Sequence, residues 1–442
     1  MSELPVVPAE APTKGIWSIT ARMSVYRVLS GAAAGAIAVL TARQLGPSER
    51  GILVLLLTLS SFTLLLCSVG LNTSGRIHLV GKGDGRVESG DFVGLSATLT
   101  LLDVVVCAGL GLVLLPLVHV HLSLADLAIF GLFGGSMIAA YLANASLNAF
   151  GWTATASAVD AVGSAVQLIA VLGVWGAGAR SVDPYLVAML LGNVLQLALA
   201  LVVLRRHGVK LRPRCSRGPW RRLVRTGLPG IALDVGGVLT FKIDRYLIAA
   251  FLAPAAVGIY SVAATASELL RMPVLALSQP IFYRLASGSA RISDFRHTRR
   301  LCLAATAALV VVMFLAAPVA VETLFGPDYA GAVTPLRILL LAEFGITAFY
   351  LDASSLAAGL HKVGAAGGAA VVGLVFVAVG DLILIPSYGI AGAAWASVVA
   401  YSAMGLVAHL LVRRHEPDIE ALAGVSTVAG PPDQGADDPN PS

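Results

Sequence analysis

The sequence predicts an all-α polytopic membrane protein, with twelve transmembrane helices in two six-helix lobes related by a parallel pseudo-two-fold repeat. Three observations predict it. The 442 residues are 57% hydrophobic and only 12% charged, about half the charge of a soluble domain. Apolar runs of bilayer-spanning length, about 20 residues each, follow one another from Ile16 to Arg414. Finally, "LGPSERGI" (Leu45–Ile52) matches "LAPAAVGI" (Leu252–Ile259) at Leu, Pro, Gly and Ile with an offset of 207, and Arg205-Arg206 matches Arg413-Arg414 with an offset of 208. A β-barrel would show alternating segments of about ten residues instead.

The spans cover about 16–42, 50–71, 92–118, 123–147, 151–176, 183–204, 226–250, 254–284, 300–321, 334–358, 362–385 and 388–412. They divide the chain into a cytoplasmic tail (1–15), a first lobe (16–204), a basic cytoplasmic linker (205–225), a second lobe (226–414) and a disordered cytoplasmic tail (415–442). Each half holds an even number of spans, so both copies enter the membrane from the same side. The repeat is therefore parallel, with its axis along the membrane normal.

Charge placement supports the count. With a cytoplasmic N-terminus, twenty-one of the 30 Lys+Arg fall in inside segments, three (Arg43, Arg50, Arg180) fall outside, and six lie in spans. That is the positive-inside pattern, and one missed helix in the first half would destroy it. Both termini are expected in the cytoplasm.

Composition also excludes classes. The pI of 9.1 comes from basic loops and not from a nucleic-acid surface. The linker "RRHGVKLRPRCSRGPWRRLVR" suits anionic lipid head groups. Cys67, Cys107 and Cys302 lie in apolar runs and Cys215 in the linker, with no CxxC or Cys/His cluster for a metal. Met1–Gly15 holds no signal-peptide core. No Walker loop, HExxH or GxSxG appears, so the chain reads as no enzyme and an ion gradient as its drive.

Local landmarks follow. Gly31 and Gly35 form GxxxG, and "VGAAGGAAVVG" (Val363–Gly373) is similarly small, which favours close helix packing in lipid. Met272-Pro273 and Gln279-Pro280 interrupt span eight, as a hinge or a static kink. Asp91, Asp126 and Asp183 start spans, and Asp183-Pro184 has the N-cap and N1 pattern.

Four segments carry a resemblance: "TARQLGPSERGILVLL", "DRYLIAAFLAPAAVGIYSVAATASELL", "LSQPIFYRLA" and "IPSYGIAGAAWASVVAYSAMGLV". They resemble the polysaccharide-biosynthesis transporters of the MOP superfamily, the Wzx-type oligosaccharide flippases, over about Ile16 to Arg414. Relatives include peptidoglycan-precursor flippases and MATE drug exporters. The resemblance implies a central cavity alternately open to each side and a polyprenyl-diphosphate-linked oligosaccharide as cargo. It also implies a plasma (inner) membrane location, no cofactor besides a coupling proton or sodium ion, and partnership with membrane lipid and with a glycan polymerase or glycosyltransferases. Rival readings are a drug/cation antiporter of the same fold, a membrane glycan ligase or polymerase, and a non-transporting scaffold for lipid-linked glycan. The short outside loops count against the enzyme.

Charges inside spans are costly and usually functional. The cations are Arg22 and Arg27 in span one, Lys242 and Arg245 on one face of span seven, Arg271 in span eight, and Arg337, which snorkels from a helix end. The first five are the candidate substrate-binding residues, because Arg and Lys match the acceptor oxygens of a diphosphate. The competing reading pairs them with acids, Glu268 with Arg271 and Asp244 across helices. Asp103, Asp160 and Glu343 lie deep without a nearby cation in sequence and, with Asp244, are the ion-coupling candidates. A structural hydrogen bond from a neutral acid is the alternative. Asp352 and Asp381 lie close to span ends and read as solvated.

Overall fold

A computed structural model describes residues 14–79, 87–286, 292–359 and 363–428, with side chains described for all of these except 14–21, 229–237, 272–294, 357–366 and 416–428. Among the described residues the chain is all helix. In order these are α1 (Lys14–Cys67), α2 (Leu71–His78), α3 (Ser89–Leu114), α4 (Leu124–Ala149), α5 (Thr153–Gly176), α6 (Val182–Arg206), α7 (Arg217–Phe251), α8 (Pro254–Ala286), α9 (Ile292–Phe325), α10 (Val333–Gly359) and α11 (Val363–Val428), with single 3-10 turns at Pro116–Val118 and Pro327–Ala332. Among the described residues, eight segments are long and apolar enough to cross a membrane. The protein is a multi-pass membrane protein of helical type.

Two of these helices bend at one residue each. Gly46 (φ 70°, ψ 175°) breaks α1 and Gly389 (φ 59°, ψ −142°) breaks α11. Both φ values lie where only glycine is unstrained. Pro47 then restarts the helix, because its fixed φ suits a first turn that needs no N–H. At α4 the start is a capping box: Ser123 Oγ accepts from the Asp126 N–H at 3.2 Å and Asp126 Oδ2 accepts from the Ser123 N–H at 2.8 Å.

The outer faces are greasy. Leu101 on α3 is 70% exposed and Leu315 on α9 is 72% exposed, as lipid-facing residues are. The core lies between the halves, where Leu53, Leu55 and Leu56 of α1 join Tyr185, Tyr260 and Tyr329 in one buried cluster. The halves also meet at the Gly46 end of the bundle. There Arg43 Nε donates to the Leu324 carbonyl at 2.8 Å, and its guanidinium also reaches the Thr323 carbonyl. Tyr329 Oη donates to the Ala42 carbonyl at 2.9 Å.

Several expectations change. Gly31 has open space where a side chain would go and Gly35 meets only the Leu269 side chain, so GxxxG is not the tight crossing. That crossing lies at Gly51 and Gly258, whose added Cβ atoms would fall 1.7 Å and 1.9 Å from the carbonyl oxygens of Pro254 and Pro47. The N-cap of α6 is Ser181, with Asp183 already inside the first turn. The second half of the linker is already helix α7, docked on the first half: Trp220 Nε1 donates to the Asp91 carbonyl at 3.0 Å, and Arg214 pairs with Glu88. Helix continues to Val428, past the point where sequence places a disordered tail. Residue pairs Met272-Pro273 and Gln279-Pro280 lie within the range of α8, where side chains are not described. Lys82, Arg86, Arg291 and Lys362, counted as inside cations, lie outside the described residues.

Candidate functional site

Helix α7 supplies the centre of the site, because residues three apart share a face. Lys242 Nζ reaches across to Ser61 Oγ of α1 at 3.2 Å. Arg245 Nη2 instead lies 3.4 Å from Glu268 Oε1 of α8. Asp244, facing away from Lys242, is buried: its Oδ2 accepts from Tyr260 Oη at 2.7 Å and its Oδ1 from the Arg245 N–H at 2.8 Å. One turn further along α8, Arg271 makes a bidentate pair with Glu343 of α10, at 3.0 and 2.8 Å. Its guanidinium lies 5.9 Å from the Phe241 ring centroid and 6.0 Å from that of Tyr350, both within cation–π range.

Of the five cations read as substrate-binding, Arg245 and Arg271 thus already face acids. The partner of Arg271 is Glu343 of α10, not Glu268 three residues away. Glu343, an ion-coupling candidate from sequence, has its charge matched by this pair. Arg22 and Arg27 are exposed on α1, and Arg27 lies within Coulombic reach of Asp160.

Sequence reasoning missed Arg50. Counted as an outside-loop cation, it is only 5% exposed, and its Nη1 donates to Thr41 Oγ1 at 2.6 Å while Nε has no partner among the described residues. Arg50 and Ser61 line one cavity of about 300 Å³, with Gln167 and Asn193 on the opposite wall. So Arg50 brings positive charge to a cavity walled by helices of the first half, and Lys242 of α7 reaches the edge of that cavity at Ser61.

The acids divide into three groups. Asp160 on α5 accepts from the side-chain amides of Asn144 on α4 and Gln196 on α6. This polar cluster lines a second cavity of about 330 Å³. Asp103 is completely buried near Cys67 and Thr63, and neither oxygen finds a regular hydrogen bond among the described residues. Asp381 and Asp352, read as solvated, are both completely buried. Asp352 pairs with Arg299 at 3.0 and 3.2 Å and lies 3.4 Å from His409 Nδ1. Asp381 has no partner at either oxygen among the described residues and lies within Coulombic reach of Asp244. Ser397 Oγ, on the returning limb of α11, is also buried without a partner among the described residues. Among the described residues, no group of three or more His, Cys, Asp or Glu side chains gathers as a metal site.

The geometry is that of two adjoining cavities with polar walls among the first-half helices of a lipid-facing bundle. The family of polysaccharide biosynthesis proteins matches residues 22–285. The chain belongs to that family. No curated protein matches the sequence. Among solved structures, the lipid II flippase MurJ in an inward closed conformation is similar, with a TM-score of 0.73 at 13% identity over 92% of this chain and 93% of that one. An inward-facing MATE-family multidrug resistance transporter of the MOP superfamily has a TM-score of 0.65 at 15% identity, over 91% of this chain and 96% of that one. A mutant of the Vibrio cholerae MATE transporter VcmN has a TM-score of 0.61 at 17% identity, over 93% of this chain and 100% of that one. This polysaccharide biosynthesis protein therefore has the fold of MOP-superfamily transporters, and the similar structures are those of a flippase and of transporters.

Proposed function

We propose that this chain is a twelve-span, two-lobe flippase that moves a polyprenyl-diphosphate-linked oligosaccharide across the plasma membrane by ion-coupled alternating access. The span count rests on the bends. A straight helix over Arg22–His78, 57 residues, would be about 85 Å long, nearly three bilayer cores. Splitting it at Gly46 and splitting Gly367–His415 at Gly389 turns eight segments into ten, and α7 with α8 makes twelve. Parallel two-fold symmetry is supported by Gly51 and Gly258, equivalent residues of the two octets, which meet each other. Positive-inside charge then puts both termini in the cytoplasm and the Gly46 end outside.

The observation that carries the cargo reading is the pairing pattern on α7. Lys242 faces a hydroxyl of α1, and Arg50 elsewhere on α1 has a donor without a partner among the described residues, so these helices offer charge to an anion with many acceptor oxygens. Arg245 and Arg271 would exchange Glu268 and Glu343 for the diphosphate as it enters, and reform those pairs when it leaves. A cation at Asp244 and Asp381, beside the same helix, would couple a sodium or proton gradient to that exchange. Glycosyltransferases would supply such a cargo and a glycan polymerase would consume it.

The test is reconstitution in proteoliposomes with a fluorescent polyprenyl-diphosphate disaccharide and, separately, ethidium. Gradient-accelerated flipping of the lipid with no ethidium transport supports the proposal. Ethidium transport alone supports the antiporter, and lipid binding without flipping supports the scaffold.

A further inference from the structure

The flippase proposal gives a role to cations, but it leaves the most polar part of the first half without one. In a bilayer each buried amide or carboxylate is costly, and apolar side chains would fill the same space. Yet α4, α5 and α6 turn a set of carboxamides toward one chamber. Asn144 and Gln196 donate to Asp160, and Asn148 Nδ2 donates to Asn144 Oδ1 at 2.9 Å. Toward the Gly46 end, Gln167 Nε2 donates to Asn193 Oδ1 at 2.8 Å, and Asn193 Nδ2 donates to Ser136 Oγ at 3.2 Å.

Glycines hold these seats open. A Cβ on Gly163 of α5 would fall 2.9 Å from Gln196 Cβ, and one on Gly192 of α6 would fall 2.0 Å from Gln167 Cγ. Each helix gives up a side chain where the other presents a glutamine. Packing alone does not require that arrangement.

We propose that this chamber binds the uncharged, hydroxyl-rich sugar next to the diphosphate of the cargo, an inference that rests on the flippase reading. A sugar hydroxyl both donates and accepts, and so do carboxamides; the Asp160 carboxylate adds an acceptor. Diphosphate only accepts, and Asp160 repels it. Asn72 separates the two ligand chemistries. Asn72 lines the chamber, and its Oδ1 is buried without a partner among the described residues. It needs a donor, which a hydroxyl provides and a phosphate does not. The chamber's volume of about 330 Å³ falls at the small end of ligand sites. It shares Met137 and Asn193 with the cavity that holds Arg50 and Ser61. A sugar seated among the amides would therefore place its diphosphate in the adjoining cavity, which Arg50 lines.

The experiment uses the full chain in nanodiscs with two probes, a polyprenyl diphosphate and the same lipid carrying one uncharged hexose. The wild-type protein should prefer the glycosylated lipid. Asn72→Leu should lose about five- to tenfold of that preference, the worth of one hydrogen bond, with the bare lipid bound as before. Because Asn72 Oδ1 has no protein donor to strand among the described residues, the variant should melt no lower than wild type. Equal binding of both lipids by wild type, or full preference retained in Asn72→Leu, would show that the chamber holds water only and would overturn the proposal while leaving the flippase reading intact. If neither lipid binds, the flippase reading fails and this inference with it.

Discussion

Gly51 and Gly258 lie against each other where α1 crosses α8, so closely that a Cβ on either would fall 3.1 Å from the other's backbone nitrogen. They occupy equivalent places in the two octets, and each faces the proline carbonyl of the opposite octet. The contact needs two glycines because nothing larger than hydrogen fits between the backbones. It closes the bundle at the end where Arg43 also grips the carbonyls of α9.

Gly51→Ala should therefore push the halves apart at the Gly46 end. Overpacking of this kind costs about 1–3 kcal/mol, charged only to the closed arrangement. Spin labels at Ser48→Cys and Asp328→Cys, both exposed positions, should report a longer distance in the alanine variant. An unchanged distance distribution would remove this crossing as a closing contact.

Breaking the Arg271–Glu343 pair should be a stability defect first. Glu343→Gln leaves a buried guanidinium without its carboxylate, at a cost of about 3–5 kcal/mol, and Tm should fall accordingly. The swap Arg271→Glu with Glu343→Arg should recover much of the loss. A Glu343→Gln protein that melts normally yet loses gradient-driven transport would instead make Glu343 the coupling carboxylate.

The orphaned oxygens of Asp381 predict ion-dependent stability. A cation that binds the folded state at 100 times its Kd stabilises by about 2.7 kcal/mol. Titrating sodium, or acidifying if the ion is a proton, should raise Tm of the wild type and leave Asp381→Asn unmoved. A wild-type Tm indifferent to both ions would exclude Asp381 from coupling.

The four central cations all meet the diphosphate on this reading, but they should differ in what their loss does to stability. Lys242→Ala and Arg50→Ala should weaken polyprenyl-diphosphate binding about ten- to a hundredfold, since each removes a charge-assisted contact. Arg245→Ala should cost little stability, because Glu268 is 44% exposed and water can take over its solvation. Arg271→Ala should instead lower Tm, as the Glu343 variant does. Isothermal titration of the four variants, beside their Tm values, checks the division. Normal binding by Lys242→Ala would sink the anion-site reading.

Sequence by itself determined the membrane class, because apolar runs and charge depletion are one-dimensional properties that need no fold to be seen. It also marked the repeated octets, since Pro47 and Gly51 recur as Pro254 and Gly258 at one offset, but that their glycines make the tight crossing, and not Gly31 and Gly35, only the packing decided. The costly charges were legible for the same reason: Lys242, Arg245 and Arg271 stand out against lipid-compatible neighbours. Partners were not legible. Glu343 lies 72 residues from Arg271, and Asp352 lies 53 residues from Arg299, so only packing of α10 on α8 and α9 decides who neutralises whom. Depth was misread at helix ends. Asp381, Asp352 and Arg50 look near-terminal along the chain, but neighbouring helices cover them, and burial depends on those neighbours and not on distance from a span end. The amide chamber was hidden for another reason. Asn and Gln carry no charge to mark them, and their meaning appears only when α4, α5 and α6 turn them toward one space around Asp160.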